Sequence, residues 1–186
     1  IPPADLLISE CTYGGRNHPG VELLATDLLA AIKRTIERGG KVLIPAFAVG
    51  RTQELIYSLH CLFRAGKIPG LPIFVDSPLA VDATQVFRLH PDLFDRGEQM
   101  IEKTTALFDF PLVQYVRDVQ DSKKLNTLNG PAVIIAASGM AESGRILHHL
   151  ANRIGDHKTM VLFVGFQGEN TLGRRIQDGQ RTVKIL

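Results

Sequence analysis

One stretch, residues 41–60 (KVLIPAFAVGRTQELIYSLH), constrains the fold more than any other part of the sequence. It opens on an apolar run at 42–44, passes through a short turn at 45–50, and then has apolar residues at helical spacing (Leu55, Ile56, Leu59). A strand that is apolar on both faces belongs in a parallel sheet covered by helices. The stretch therefore predicts a buried parallel strand, a tight turn and a helix.

The same order of strand, small-residue turn and helix recurs along the chain without a repeat of fixed period. It predicts strands near 5–9, 41–45, 72–76, 132–136, 160–164 and 182–186. The alternation indicates the α/β class, with a Rossmann-like, mainly parallel β-sheet flanked by helices. No GxGxxG follows a strand and no Walker lysine loop is present, which argues against dinucleotide and P-loop sites.

Helix signals accompany these strands. An amphipathic pattern at 22–38 ends at two glycines, and Ser77 followed by Pro78 is typical of a helix start. We also predict a helix at 98–107. Aromatic residues are spread through the less regular middle of the chain (Phe94, Phe108, Phe110, Tyr115). They favour a small local core over a base-stacking platform.

Composition gives few leads to a partner. The net charge of +2 is too small to indicate a strong positive field that attracts nucleic acid. A nucleic-acid partner would therefore have to bind a local positively charged patch. The two cysteines form no CxxC pair, and no apolar run approaches the length of a membrane span, so we expect a cytoplasmic protein with no membrane partner. The chain starts without Met and stops inside a strand-like run, so we expect a piece of a longer protein.

Two turns after predicted strands carry candidate anion-binding residues. Arg51 and Thr52 open a helix, where free N–H groups and the helix dipole favour an anion. Small residues recur in the turn after 132–136, with an arginine nearby (Ser138, Gly139, Met140, Arg145). Since both turns follow the carboxyl ends of parallel strands, we expect them on one edge of the sheet. The competing interpretation of the first turn is a plain connection capped by Thr52.

Two carboxylates also follow predicted strands. Glu10 ends the first strand and Asp76 the third, the position where open α/β sheets keep their sites. Taken alone, the position of Glu10 favours a solvated strand end over a site residue, and Asp76 is equally a charge at a helix start. His148 and His149 point about 100° apart on a helix, so they do not share one metal, and we expect one packed and one exposed.

Five blocks in order, LLISECTYGGRNH, VLIPAFAVGRTQEL, DSPLA, AASGMAESGR and GFQGENTLGR, give the chain a family resemblance over nearly its whole length. It resembles the β-CASP domain of metallo-β-lactamase-superfamily RNA-processing nucleases, which include the cleavage-and-polyadenylation endonuclease subunit. The resemblance implies that residues 1–14 end an upstream metallo-β-lactamase part. Residues 15–186 would then form the β-CASP cap, truncated before the second metallo-β-lactamase part.

The resemblance also implies a function. In this family a di-zinc site between the two domains hydrolyses RNA phosphodiester bonds, and the cap contributes one acid, which falls here on Glu10. Glu10 would orient a catalytic histidine that lies outside this chain. The family's HxHxDH motif is absent, so we expect no metal ligands in this chain and two zinc ions in the full-length enzyme. The chain alone would bind no zinc and cut nothing. The family usually has Ser where this chain has Cys11.

Within that resemblance, the expected partners are RNA and the protein's own metallo-β-lactamase domain. Phosphate contacts would come from Arg51, Thr52 and the turn at 138–140, with Arg145 as a weaker candidate. A homodimer is a further partner that the resemblance leaves open. Two other functions remain as alternatives: a free-standing α/β module that binds a nucleotide or sugar phosphate, and a non-catalytic interaction domain with a degenerate site.

Overall fold

A computed structural model of the chain describes residues 3–15, 21–94 and 107–186, with side chains from residue 24 onwards in the first helix. Its strands are β1 (Lys41–Pro45), β2 (Ile73–Val75), β3 (Val113–Tyr115), β4 (Ala132–Ala136) and β5 (Met160–Val161). Its helices are α1 (Val21–Glu37), α2 (Arg51–Arg64), α3 (Pro78–Leu89), α4 (Val119–Leu125), α5 (Arg145–Arg153) and α6 (Leu172–Gln177). A short 3-10 helix, Pro91–Leu93, follows α3.

The strands form one sheet in the order β3-β2-β4-β1-β5, and every pairing in it is parallel. β1 pairs along its whole length with β4, from Lys41 opposite Ala132 to Pro45 opposite Ala136. The predicted α/β class with a parallel sheet is therefore confirmed. Because all strands run the same way, the turns that follow them meet at one edge of the sheet.

Alternate residues of the strands serve two separate cores, one on each face of the sheet. Val42 and Ile44 of β1 pack with α1 and α2, together with alternate residues of β2 and β4. Leu43 faces the other way and joins the core beneath α4, α5 and α6. The side-chain period of two in a strand explains this division. It also explains why β2 and β4 are apolar at every position.

Two predicted strands are absent from the sheet. Residues 5–9 form no strand, and Leu6, Leu7 and Ile8 are 76%, 69% and 86% exposed. Residues 182–186 also form none, although the partly buried Val183 and Ile185 pack against the second core. The alternating pattern of 182–186 thus reports burial, but a strand also needs a partner, and neither segment has one in the described part of the chain.

Other element predictions met mixed outcomes. The sequence did not predict β3, a three-residue edge strand too short to show a period. β5 is shorter than the predicted 160–164. The helix expected at 98–107 lies almost wholly outside the described residues. The first helix agrees with its prediction, and Ser77 caps α3 by accepting a hydrogen bond from Ala80 N at 3.2 Å.

The aromatic residues of the middle region form a local core, as expected. Phe108 and Phe110 are 2% and 5% exposed. The ring centroid of Phe108 lies 6.3 Å from that of Phe87 and 6.4 Å from that of Phe94. The ring of Phe110 packs on the rings of His60 and Phe63. Among the described residues, no helix is long and apolar enough to cross a membrane.

Candidate functional site

A cavity of about 260 Å³ opens at the carboxyl edge of the sheet, and we call it the edge cavity. Three turns line it, those that follow β1, β4 and β5, and the amino-terminal segment closes one side. The turns contribute backbone and side chains from 45–47, 139–140 and 164–166, while the segment contributes Glu10, Thr12 and Tyr13. Arg51, the first residue of α2, also lines the cavity. The edge cavity thus lies where open α/β sheets keep their ligands.

Glu10 brings a carboxylate to the edge cavity. Its side chain is exposed, and Oε2 accepts a hydrogen bond from the backbone N–H of Thr12 at 3.0 Å. That hydrogen bond lowers the pKa of Glu10, so the group is ionised near neutral pH. The same contact folds the chain after Glu10 into a turn. The structure therefore gives Glu10 a local role in addition to a place beside the cavity.

The turn after β1 is fixed by the first turn of α2. Thr52 is 2% exposed, and its Oγ1 donates to the carbonyl of Phe47 at 2.8 Å. Gln53 Nε2 donates to the carbonyl of Ala48 at 3.2 Å. Thr52 therefore bonds backward to the turn, and the N-cap position of α2 is Gly50, which has no side-chain cap. The role expected for Thr52, a ligand for phosphate, remains a prediction that its buried hydroxyl does not favour.

Arg51 is the cation of the edge cavity. Its side chain is 36% exposed and forms an ion pair with Glu54, with NH1 2.6 Å from Oε2. The pair spans one turn of α2 at the surface, where such interactions contribute about 0–1 kcal/mol. A phosphate oxygen can compete with Glu54 for the guanidinium at small cost. Arg51 is thus held at the cavity in a position from which it can be recruited.

The turn after β4 closes against the turn after β1. A Cβ atom on Gly139 would lie 2.9 Å from the Phe47 ring and 3.1 Å from Phe47 N, so only glycine allows this approach. Met140 follows on the cavity wall. Ser138 does not line the cavity, since its Oγ accepts from the N–H groups of Glu142 and Ser143 at 3.2 and 3.3 Å. Of the three predicted residues in this turn, the structure brings two to the cavity.

Gln167 ties the turn after β4 to the turn after β5. It is 3% exposed, and its Nε2 donates to the carbonyls of Gly139 and Gly165 at 3.0 and 3.2 Å. Both glycines line the edge cavity. Gly173 leaves room for this arrangement, because a Cβ there would lie 1.8 Å from Gln167 Oε1. Gln167 therefore holds two cavity walls together from behind.

Arg145 and Asp76 lie away from the edge cavity, in a buried network. Arg145 NH1 donates to Asp76 Oδ1 at 2.7 Å and to the carbonyl of Val116 at 3.1 Å, and its NH2 donates to the carbonyl of Arg117 at 2.6 Å. Asp76 is fully buried, so it is not the carboxylate at the site edge that its position after a strand suggested. Arg145 is engaged by the protein itself, which does not favour the predicted phosphate role.

Asp76 stays charged in this network. Burial raises the pKa of Asp76, but hydrogen bonds from His149, Ser122 and Arg145 outweigh it and hold the pKa below its usual value. His149 is 1% exposed and His148 is exposed, as the sequence predicted. Both the carboxylate and the imidazole are therefore used in packing α5 onto β2.

The described residues do not fit a metal centre. No three His, Cys, Asp or Glu side chains among residues 3–15, 21–94 and 107–186 come close enough together to hold an ion. Glu10 is the acidic side chain at the edge cavity within that part of the chain. The two zinc ions expected for the full-length enzyme remain a prediction about residues outside this set.

Sequence reasoning missed several residues of the edge cavity. Phe47, Tyr13 and Phe166 line it, and Gln167 positions its walls. All four lie within the blocks that carry the family resemblance. The available signal was a large apolar residue, Phe47, in a turn of small residues. In the structure Phe47 is exposed while its neighbours Ala46 and Ala48 are buried. The sequence shows only that Phe47 is larger than these neighbours, because their burial depends on the neighbouring turn.

Comparison with known proteins places this architecture in a family. The profile of the Beta-Casp domain matches residues 52–176. Ribonuclease TTHA0252 of Thermus thermophilus is 37% identical over 191 residues, which cover all of this chain and 43% of that protein. The transcription termination factor FttA of Methanosarcina mazei is 34% identical over 189 residues, covering all of this chain and 30% of the factor.

An RNase J-like protein of Methanocaldococcus jannaschii is 33% identical over 187 residues, covering 99% of this chain and 42% of that protein. The chain thus spans between 30% and 43% of the length of these relatives. The family match includes the turn after β4 and most of α6, and the alignments that cover the whole chain also include the turn after β1 and the segment with Glu10. This chain belongs to the Beta-Casp domain family.

Proposed function

We propose that this chain is the cap of a ribonuclease and that its edge cavity holds RNA beside the bond that is cut. The observation that carries the proposal is the meeting of Glu10, Arg51 and the turns after β1 and β4 around one cavity. Family membership supports it, since one relative that aligns along the whole chain is named a ribonuclease and another, aligned along 99% of it, is named an RNase J-like protein. The hydrolytic activity would belong to the whole protein.

Phosphate binding in this proposal comes from Arg51. A guanidinium matches phosphate oxygens with paired donors, and a contact of this kind positions RNA without reading its sequence. The ionised Glu10 in the same cavity repels phosphate. The backbone of RNA is therefore expected to run past Arg51 and to leave Glu10 for another partner.

That partner is proposed to be a histidine of the catalytic site, outside this chain. A carboxylate fixes the tautomer and the orientation of an imidazole by accepting its N–H, and losing such a contact typically costs about 10–100-fold in activity. Glu10 suits the task because it is ionised, exposed and held by the Thr12 turn. Glu10 is then a positioning residue for a group that acts on RNA.

The test uses the whole protein and an end-labelled oligoribonucleotide. Wild-type protein is expected to cut the RNA, and the separate chain is expected to carry no stoichiometric zinc and to cut nothing. Whole protein that leaves RNA intact with zinc supplied would overturn the proposed function. If it instead binds free nucleoside monophosphates tightly, the alternative of a nucleotide-binding module would replace it.

A further inference from the structure

The edge cavity has an aromatic wall that phosphate binding does not use. Phe47 is 50% exposed, whereas the residues on either side of it in the turn, Ala46 and Ala48, are 2% and 7% exposed. Tyr13 and Phe166 also line the cavity, with ring centroids 6.0 Å apart in an edge-to-face arrangement. Single exposed apolar residues are normal on protein surfaces. Three aromatic residues around one concave site with a cation form a binding surface instead.

We propose that the edge cavity contains a nucleobase subsite, in which one base of the bound RNA stacks on the ring of Phe47. The inference rests on the proposed function, and it adds a contact to the base where the proposed function has contacts to phosphate. Aromatic side chains are the usual stacking surfaces for unpaired bases, and the contact tolerates any base because every base has a π-face.

The Phe47 ring is held in place before RNA arrives. Its backbone carbonyl accepts from both Thr52 N and Thr52 Oγ1, at 3.3 and 2.8 Å. The ring packs against the backbone of Gly139, whose missing Cβ is what allows the contact. Ordering this side chain therefore costs little on binding, which is how rigid aromatic residues gain affinity.

The dimensions and charges of the cavity agree with a nucleotide. Its volume, about 260 Å³, lies just below the range for small-ligand sites, roughly 300–1,000 Å³. Arg51 lines the same cavity as Phe47 and lies four residues further along the chain. One nucleotide can therefore present its phosphate to the guanidinium and its base to the ring. The negative Glu10 favours a neutral group, such as a base, over a second phosphate in the remaining space.

The experiment is a cycle that pairs a protein change with a base deletion. The whole protein binds a short fluorescein-labelled oligouridylate in EDTA, which blocks metal-dependent hydrolysis while the dissociation constant is measured by anisotropy. A series of oligonucleotides each lacks the base, but keeps the ribose and phosphate, at one position. We expect Phe47→Ala to weaken binding about 5- to 150-fold, the range for loss of one stacked base.

The pairing of the two changes identifies the subsite. One abasic position should weaken wild-type binding by a similar factor, yet have little further effect on Phe47→Ala, because both changes remove the same contact. Effects at the other positions should multiply. Phe47→Tyr should keep the affinity, and Phe47→Leu should lose it although it remains apolar.

Val49→Ala is the matched control, since Val49 is 59% exposed in the same turn and does not line the edge cavity. It should bind as the wild type does. Multiplicative effects at every position, or unchanged affinity in a folded Phe47→Ala protein, would overturn the subsite. Cleavage of RNA by that same variant would then leave the proposed nuclease function standing, whereas Phe47-dependent binding without cleavage would keep the subsite and remove the nuclease.

Discussion

Asp76 Oδ2 and His149 Nε2 lie 2.6 Å apart in the interior of the protein, where the two residues are 0% and 1% exposed. Ser122 Oγ donates to the same carboxylate oxygen at 2.6 Å, and Arg145 donates to the other at 2.7 Å. Asp76 therefore joins the end of β2 to α4 and α5. A buried carboxylate surrounded by donors contributes to a unique packing arrangement, and removing one member leaves the others without partners.

Asp76→Asn should destabilise the fold by about 3–5 kcal/mol near neutral pH, the usual cost of breaking a buried ion pair. Every hydrogen-bond partner of the Asp76 carboxylate is a donor. The NH2 group of Asn is a donor as well, so it would lie opposite one of these partners without accepting its hydrogen bond. Urea unfolding followed by circular dichroism measures the loss. Asp82→Asn is the control, because its ion pair with Arg117 is 55–56% exposed and contributes about 0–1 kcal/mol. Wild-type stability in Asp76→Asn would refute the role of the network.

The same carboxylate predicts a dependence on acid. The folded-state pKa of Asp76 lies below its unfolded value, so its stabilisation is complete above about pH 4 and is lost as the pH falls through the folded value. The difference in unfolding free energy between wild type and Asp76→Asn should therefore be constant from neutral pH to about pH 4 and shrink below it. A difference that shrinks on the alkaline side would point to another group.

Glu10→Gln should lower the rate of RNA hydrolysis by the whole protein about 10–100-fold and leave its fold unchanged. The amide oxygen of Gln can still accept the Thr12 N–H, so the turn is retained while the charge is removed. Initial rates on an end-labelled oligoribonucleotide, together with a zinc assay, provide the measurement. A zinc-loaded variant with wild-type turnover would mean that Glu10 serves the Thr12 turn alone.

Arg51→Ala should weaken RNA binding and reduce the slope of log K against log salt by about one, as expected for one lost phosphate contact. Glu54→Gln should act in the opposite direction, because it releases the guanidinium from the 2.6 Å ion pair and removes a nearby negative charge. Titrations at several salt concentrations test both variants. An unchanged slope in Arg51→Ala would assign Arg51 to α2 alone.

Gln167→Met should loosen the edge cavity. It keeps the size of the side chain but leaves the carbonyls of Gly139 and Gly165 without their donor, at a cost of about 1–3 kcal/mol for a buried polar group. We expect lower stability and weaker RNA binding together. Gln180→Met, at an exposed position, is the control and should change neither. Loss of stability with unchanged RNA affinity would limit Gln167 to a structural role.

The sequence alone determined the class of fold, the family and several element boundaries. Runs such as 132–136 are apolar at every position, and such runs fit a strand covered on both faces by helices whatever the rest of the chain does. The start of α3 was equally local, since Ser77 caps it through an atom three residues away. The ordered blocks placed the chain in its family because they extend over nearly its whole length, from residue 6 to residue 174.

Only the tertiary structure decided which strand-like segments pair and which polar residues reach the cavity. Residues 5–9 and Ala132–Ala136 both appear strand-like in the sequence, but pairing needs a neighbour at the right distance, and a local pattern does not encode one. Asp76 and Glu10 both follow apolar runs. One is buried among donors from α4 and α5 while the other lies at the edge cavity, because the positions of those helices are set by packing across the sheet.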